Sequence, residues 1–395
     1  MNARTLFVVS ASLGHRPDAT SGPRKDYLVA ADALHAAILS RSDVARASRL
    51  MRLLARLSVP LAQAWLAFQQ RHSFDVFVTD GEHVGIPLAL LLKIARARKV
   101  HVTIGHRITA GKKRPFFRWL RVHTHMSRIA LHARRQFDLA QEELGIPSER
   151  LALVPYQVDT EFWRPLPGVD EERLICSAGL EFRDYPTLER AVDGLNAKVI
   201  IGAASHWSKR RNTAAGSQHP ANVEVDRFDY AALRELYARS AVVVVPLDDI
   251  DFQAGVTTIL EAMAMAKPVV VTHSQGQTDV VEDRRTTTRG GAPRSRPISL
   301  LREIAAQEAV EVEATGFYVL PGDADGLRRA IAYLLDNLPE RRRLGDAGRR
   351  TVERLLTVEQ FGERLRKLVD DACATDVGTA KPASRAVRLQ LGNVR

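Results

Sequence analysis

Only two cysteines occur in the 395 residues, Cys176 and Cys373, far apart and with no CxxC pair, so no disulfide framework is on offer and a reducing compartment fits better than a secreted one. No stretch reaches 18 uninterrupted apolar residues, and the start, MNARTLFVVSAS, has an apolar run too short for a signal-peptide core. The expectation is a cytoplasmic protein. No GxGxxG follows a strand pattern, no GxxxxGK[ST] occurs and no GxSxG occurs. These absences argue against a dinucleotide oxidoreductase, a P-loop nucleotide hydrolase and a nucleophile-elbow hydrolase. Acidic residues are missing altogether from His83 to Phe137, although that segment holds 13 Lys and Arg.

What is present is a globular composition, 45% apolar and 26% charged, over a length that suits two domains of ordinary size. The net charge of +11 is concentrated in that acid-free segment, whose one-sign field suits phosphate-bearing partners. An anionic membrane surface and a lipid-linked phosphate rank first; nucleic acid is not expected, because no recognisable binding motif accompanies the charge. PFFRWLRV places Phe116, Phe117, Trp119 and Leu120 among the cations, as at a headgroup boundary. The competing reading is a solvated basic face with Trp119 packed inward.

The first half alternates strand and helix patterns: LFVVSAS, a helix over Tyr27 to Ser40, a long helical stretch from Val44 to Gln70, then DVFVTD, PLALLLKIARA, VHVTIG and RIALH with ARRQFDLAQEELG. After LALVPYQVDTEFWRPLPG the alternation restarts with LICSAG. This predicts an α/β fold of two doubly wound, Rossmann-like domains facing across a cleft. The expected boundaries are 1–165 for the first domain and 166–350 for the second. A C-terminal helix over 351–375 is expected to cross back, and a basic, disordered tail fills 376–395. RRTTTRGGAPRSR, 284–296, reads as a mobile loop.

The densest signal is DFQAGVTTILEAMAMAKPVVVT, from Asp251 to Thr272, which follows the apolar strand AVVVVPL. Gly255, Val256, Thr257 and Thr258 offer an approachable backbone and free amides at a helix N-terminus, a place for a pyrophosphate. Val256, Ile259, Leu260 and Met263 form the buried stripe, which leaves Thr257, Thr258 and Glu261 off it. The Glu261 carboxylate can accept two hydrogen bonds from a ribose diol, or it is an ordinary helix-surface glutamate.

In VPYQVDTEFWRP, SAGLEFRDYPTLERAV, LYARSAVVVVPL, TTILEAMAMAKPVVVT and TGFYVLPGDADGLRRAI, in this order, the chain resembles the retaining nucleotide-sugar glycosyltransferases of family 4, which have the GT-B fold. The resemblance implies that Glu261 is the second acid of a two-carboxylate motif and contacts the nucleotide ribose. The first acid falls at Gln253, which carries no charge but can hydrogen-bond a donor-sugar hydroxyl. Arg183 is left as the cation for the diphosphate, unless Lys209, Arg210 or Arg211 supplies a second. VTIGHR nominates His106 as the group approaching the donor sugar. Gly14, in the turn after the first strand, and Gly179 complete the donor-contacting set. The implied reaction moves a sugar from a nucleoside diphosphate sugar to an acceptor hydroxyl, which can be lipid-linked, with retention. No cofactor and no metal are expected; Asp249-Ile-Asp251 forms a DxD, read as a loop cap. Sugar-nucleotide epimerases, phosphorylases and a noncatalytic nucleotide-sugar-binding protein are the alternatives.

Overall fold

A computed structural model describes residues 3–12, 22–202, 219–283 and 299–379. Strands β1 (Thr5–Val8), β2 (Ala37–Leu39), β3 (Val76–Asp80), β4 (Val100–Gly105), β5 (Arg128–Leu131) and β6 (Leu151–Leu153) form one sheet in the order β2-β1-β3-β4-β5-β6. A second sheet holds β7 (Leu174–Ala178), β8 (Lys198–Gly202), β9 (Val223–Asp226), β10 (Val242–Val245), β11 (Val269–Thr272) and β12 (Gly316–Val319), ordered β12-β11-β10-β7-β8-β9. Every pairing is parallel. Helices cover both faces of such a sheet, which is why β10 is an unbroken valine run buried throughout. In each sheet the strand order reverses beside the first strand, between β1 and β3 and between β7 and β10. Loops at those two places open a crevice at the carboxyl ends of the strands, where ligands are received.

The helical stretch expected over Val44 to Gln70 is three helices, Arg41–Arg46, Arg49–Leu57 and Val59–Gln69. Ser48 and Ser58 break it: each turns its hydroxyl to the backbone amide three residues on, and Pro60 follows in the first turn of the last helix. The expected helix over Tyr27 to Ser40 is likewise Asp26–Ala33 followed by the edge strand β2, with His35 in a left-handed conformation between them. At the other end, residues 351–355 finish the Leu338–Leu355 helix, and the last helix is Val358–Thr379. Phe361, Leu365, Val369 and Ala372 of that helix lie in one core with Phe7, Val76 and Val102 of the first sheet. Arg24 ties the same junction: its guanidinium meets Asp159 of the interdomain connection at 2.7 Å and Glu359 at 2.5 Å. Gly14, the 284–296 loop, Lys209, Arg210, Arg211 and the tail beyond Thr379 lie outside the described residues.

Candidate active site

Gly179 follows β7 with φ +98°, and the chain then doubles back so that Arg183 pairs with Leu247 beyond β10. This turn drives the Arg183 side chain under the N-terminus of the Val256–Ala264 helix. A Cβ on Gly179 would stand 2.4 Å from Arg183 Nη2, and one on Gly255, itself at φ +74°, would stand 3.3 Å from Nη1. Gly179 is therefore needed for the guanidinium to fit, whereas a Cβ on Gly255 would first meet Val245, at 2.7 Å. Arg183 is 7% exposed and donates to the carbonyls of Ala178 at 3.0 Å and Glu181 at 2.8 Å and to Thr258 Oγ1 at 3.2 Å. Among the described residues no carboxylate forms an ion pair with it, and burial pushes its pKa down. A buried cation with no contact ion pair among the described residues, at a helix N-terminus, is an arrangement suited to an anion.

One turn along the same helix, Glu261 accepts a hydrogen bond from the buried Tyr237 hydroxyl at 3.1 Å. Burial pushes its carboxyl up to about 8, although Tyr237 and Arg183 oppose the rise. Thr258 departs from expectation. It is buried, not free for a ligand, because its hydroxyl serves Arg183, while Thr257 is exposed and Val256 packs into the core. Gln253 sits in the loop just before, 8% exposed, with neither Oε1 nor Nε2 hydrogen-bonded. An amide buried and unpaired on both sides costs stability unless something outside the chain satisfies it.

The DxD is divided. Asp249 caps the Ser274–Gln277 turn through the Gln275 amide at 3.0 Å. Asp251 does not cap its own loop; it reaches the first domain, meeting Arg107 Nη2 at 3.3 Å, while its carbonyl accepts from Gln136 at 2.9 Å. Arg107 also lies over the Phe252 ring, 4.5 Å from its centroid. Arg134 extends this contact: its amide donates to Asp279 at 2.8 Å and its guanidinium pairs with Glu303. The crevice is thus bridged from both sides. His106, adjacent to Arg107, ends the β4 turn on the bridge.

His106 Nε2 lies 3.8 Å from Asp80 Oδ1, and Nδ1 lies 3.1 Å from the Tyr156 hydroxyl. Burial opposes the imidazolium, but Asp80, Glu82 and Asp26 outweigh it and raise its pKa. Glu82 is neutralised by Lys113 and holds the backbone amides of His106 at 2.9 Å and Arg107 at 3.2 Å. Asp26 and Asp80 have no such cation, and Asp26 is pushed up by burial and by Asp80. A small cavity opens among Asp26, Asp80, His106, His132, Tyr156 and Gln157. Tyr230 stands between the two halves of the site, its pKa raised by burial and then by both Glu261 and Asp26. The sequence singled out His106 but not Asp80, Arg107 and Tyr237, which the structure brings to the same crevice. Asp80 ends the strand pattern DVFVTD and Arg107 ends VTIGHR, so strand-end position was an available signal for both; nothing local marks Tyr237.

The acid-free segment also changes in the folded chain. Arg107, Lys113, Arg114, Arg134 and Arg135 find carboxylates from outside it. Phe117 is a core residue with Ile86, Val122 and Met126 and is not free to enter a headgroup layer. Trp119 does not pack inward; it is 79% exposed.

Two parallel sheets with crevice loops at their reversal points define the GT-B fold, and solved structures match it across nearly the whole chain. A sucrose-phosphate synthase from Thermosynechococcus elongatus shares 16% identity at a TM-score of 0.63, covering 94% of this chain and 100% of that one. HepE of Anabaena, in complex with UDP, shares 15% at 0.62, covering 93% and 100%. An α,α-trehalose 6-phosphate synthase from Burkholderia multivorans shares 12% at 0.64, covering 97% and 100%. Residues 183–304, which include Arg183, Gln253 and Glu261, match the family model described as glycosyl transferases group 1. No curated protein matches the sequence at a significant level.

Proposed function

We propose that the chain is a metal-independent glycosyltransferase that moves a sugar from a nucleoside diphosphate sugar to an acceptor hydroxyl with retention of anomeric configuration. The observation that carries this reading is Arg183, a buried guanidinium with no carboxylate, framed by Gly179 and Gly255 at the N-terminus of the Val256–Ala264 helix. The diphosphate takes that place. As the bond between the anomeric carbon and the diphosphate oxygen breaks, Arg183 and the amides of Val256 to Thr258 stabilise the charge on the leaving group. Glu261 accepts from the ribose hydroxyls, and the unpaired amide of Gln253 takes a hydroxyl of the donor sugar. His106 lies on the acceptor side, where it approaches the donor sugar from the β4 turn. The Asp249 carboxylate is engaged by Gln275 and that of Asp251 by Arg107, which supports a diphosphate held without a divalent ion.

HepE structures contain UDP and UDP-glucose, which makes these the first probes. UDP should raise the melting temperature of the wild type and not of Arg183→Ala, because a ligand that binds only the folded state stabilises it. Turnover of a nucleotide sugar should need an acceptor hydroxyl and survive exhaustive chelation. Loss of activity on chelation with recovery in manganese would remove the metal-independent reading; binding without turnover would favour a noncatalytic nucleotide-sugar-binding protein. The unpaired cations of the first domain, among them Lys112, Arg118 and Arg121, support an acceptor presented at an anionic membrane surface, with the enzyme peripheral to its cytoplasmic face. No helix among the described residues is long and apolar enough to cross a membrane.

A further inference from the structure

Large apolar side chains are exposed at nine positions among the described residues, and six of these, Leu53, Leu57, Leu61, Ile94, Trp119 and Leu120, belong to the first domain. Two of the six, Leu53 and Leu57, lie one turn apart on the Arg49–Leu57 helix, and Leu61 follows the extended Ser58 in the first turn of Val59–Gln69. On the former helix Met51 is buried and Leu54 and Ala55 are partly covered, so its inner face is already used. Its outer face consists of Arg49, Arg52, Leu53, Arg56 and Leu57, all exposed, at the i, i+3, i+4, i+7, i+8 spacing of a single stripe. Leu57 is 83% exposed and Leu53 56%.

Charge says what covers this face. From Val44 to Phe74 the sequence has no Asp or Glu, and it has Arg46, Arg49, Arg52, Arg56 and Arg71. None of Arg46, Arg49, Arg52 and Arg56 meets a carboxylate among the described residues; Arg52 alone touches the backbone, at Ala47. Single surface leucines are ordinary, but leucines aligned between unpaired arginines match a layer that is anionic at its surface and apolar beneath. Long arginine side chains can lie along the apolar boundary with their guanidinium groups at the phosphates. The position is also specific. Gln63 donates to the Val9 carbonyl at 2.7 Å, just past the carboxyl end of β1, so the chain before it, with Leu57 and Leu61, stands at the crevice end of the first sheet.

We propose that the Arg49–Leu57 helix is an interfacial anchor, lying on an anionic lipid bilayer with Leu53 and Leu57 below the headgroups and Arg49, Arg52 and Arg56 among the phosphates. This holds the acceptor side of the crevice at the bilayer. The anchor deepens the membrane reading given above and names a different element from the basic segment 83–137; vesicle binding itself requires no turnover.

The test is sedimentation of the full chain with phosphatidylcholine vesicles that do or do not contain phosphatidylglycerol, at low and high salt. The wild type should bind the anionic vesicles preferentially and keep part of that binding at high salt, where surface attraction is screened. Leu53→Asp with Leu57→Asp should weaken binding about tenfold or more and abolish the salt-resistant part. Arg49→Gln, Arg52→Gln and Arg56→Gln together should remove most of the preference for anionic vesicles, whereas Arg118→Gln with Arg121→Gln should change it far less. The UDP melting shift serves as the control for folding. An unchanged shift with lost vesicle binding supports the anchor, and vesicle binding that depends on the helix supports it even if UDP gives no shift at all, a result that would count against the proposed function alone. Equal binding to neutral and anionic vesicles, wild-type binding in the helix variants, or a wild-type dimer that ignores vesicles and dissociates on Leu57→Asp would overturn it.

Discussion

The two sides of the crevice differ in their buried charge: a cation on the second domain's side, and carboxylates on the side of the first domain, whose sequence is otherwise basic. On the second domain's side the buried Arg183 stands without a carboxylate at a helix N-terminus. Facing it, the first domain presents Asp26 and Asp80, with only His106 between them, although this domain contains the acid-free basic segment. The difference teaches that net charge reports on the outer surface and says little about a site. Among the basic residues of the first domain, Lys113 neutralises Glu82 and Arg107 and Arg134 bridge to carboxylates of the second domain, while Asp26 and Asp80 line the crevice end. The proposed function accordingly puts the phosphates on the Arg183 side and a hydroxyl-bearing group on the Asp80 side.

Removing the cation should break this asymmetry most severely. Arg183→Ala is expected to lower kcat/KM for the nucleotide sugar about 100-fold or more, with little loss of thermal stability, since the side chain is a buried charge with no contact ion pair among the described residues. Steady-state kinetics beside a melting curve measure both; parallel losses would make Arg183 a structural residue.

Glu261 gives the next largest effect. Glu261→Gln should weaken nucleotide affinity by about 1.5 to 3 kcal/mol above about pH 8, where the carboxylate is ionised and its hydrogen bonds are charge-assisted, and by less below. It also carries a pH signature. The folded protein holds the Glu261 proton up to about 8, whereas the unfolded chain releases it in the ordinary carboxylate range. The stability it contributes is thus complete below that range and is lost as pH rises towards about 8. Ligand-free wild type should lose on the order of 2 kcal/mol relative to Glu261→Gln between about pH 5 and pH 8, read by urea denaturation. A difference that does not vary with pH would show the carboxylate to be ionised throughout.

Gln253 sharpens the comparison from the stability side. Replacing its unpaired amide with an apolar side chain, as in Gln253→Leu, should stabilise the ligand-free protein by about 1 kcal/mol while lowering transfer, because the unsatisfied groups disappear with their function. A destabilised Gln253→Leu would mean that the amide is satisfied in solution by water. The smallest effect is expected across the crevice. Asp80→Asn removes a carboxylate that raises the His106 pKa, so the limb of the pH–rate profile set by His106 should move to lower pH, by less than about one unit. A shift upward, or none, would separate His106 from that limb.

Strand content and the double alternation were readable because hydrophobic period and β-branched runs are local properties, and AVVVVPL or VFVTD has few other ways to be buried. The segment around Glu261 was readable for the same reason: a glycine, a helix start and a carboxylate lie within a few residues of one another. Two serines and a proline decided where the expected Val44 to Gln70 helix breaks, and their signals are short-range as well, but weak against a long apolar pattern. Tertiary structure alone decided the rest. It set Arg183 between Gly179 and Gly255, took the Thr258 hydroxyl away from any ligand, buried Phe117 and exposed Trp119, and joined Asp251 to Arg107 across 144 positions. Those outcomes depend on which loops the parallel crossovers bring to the same edge of a sheet, and on which charges are left unpaired once the chain has packed. A charge in the sequence has a sign; only the fold gives it a counter-charge or withholds one.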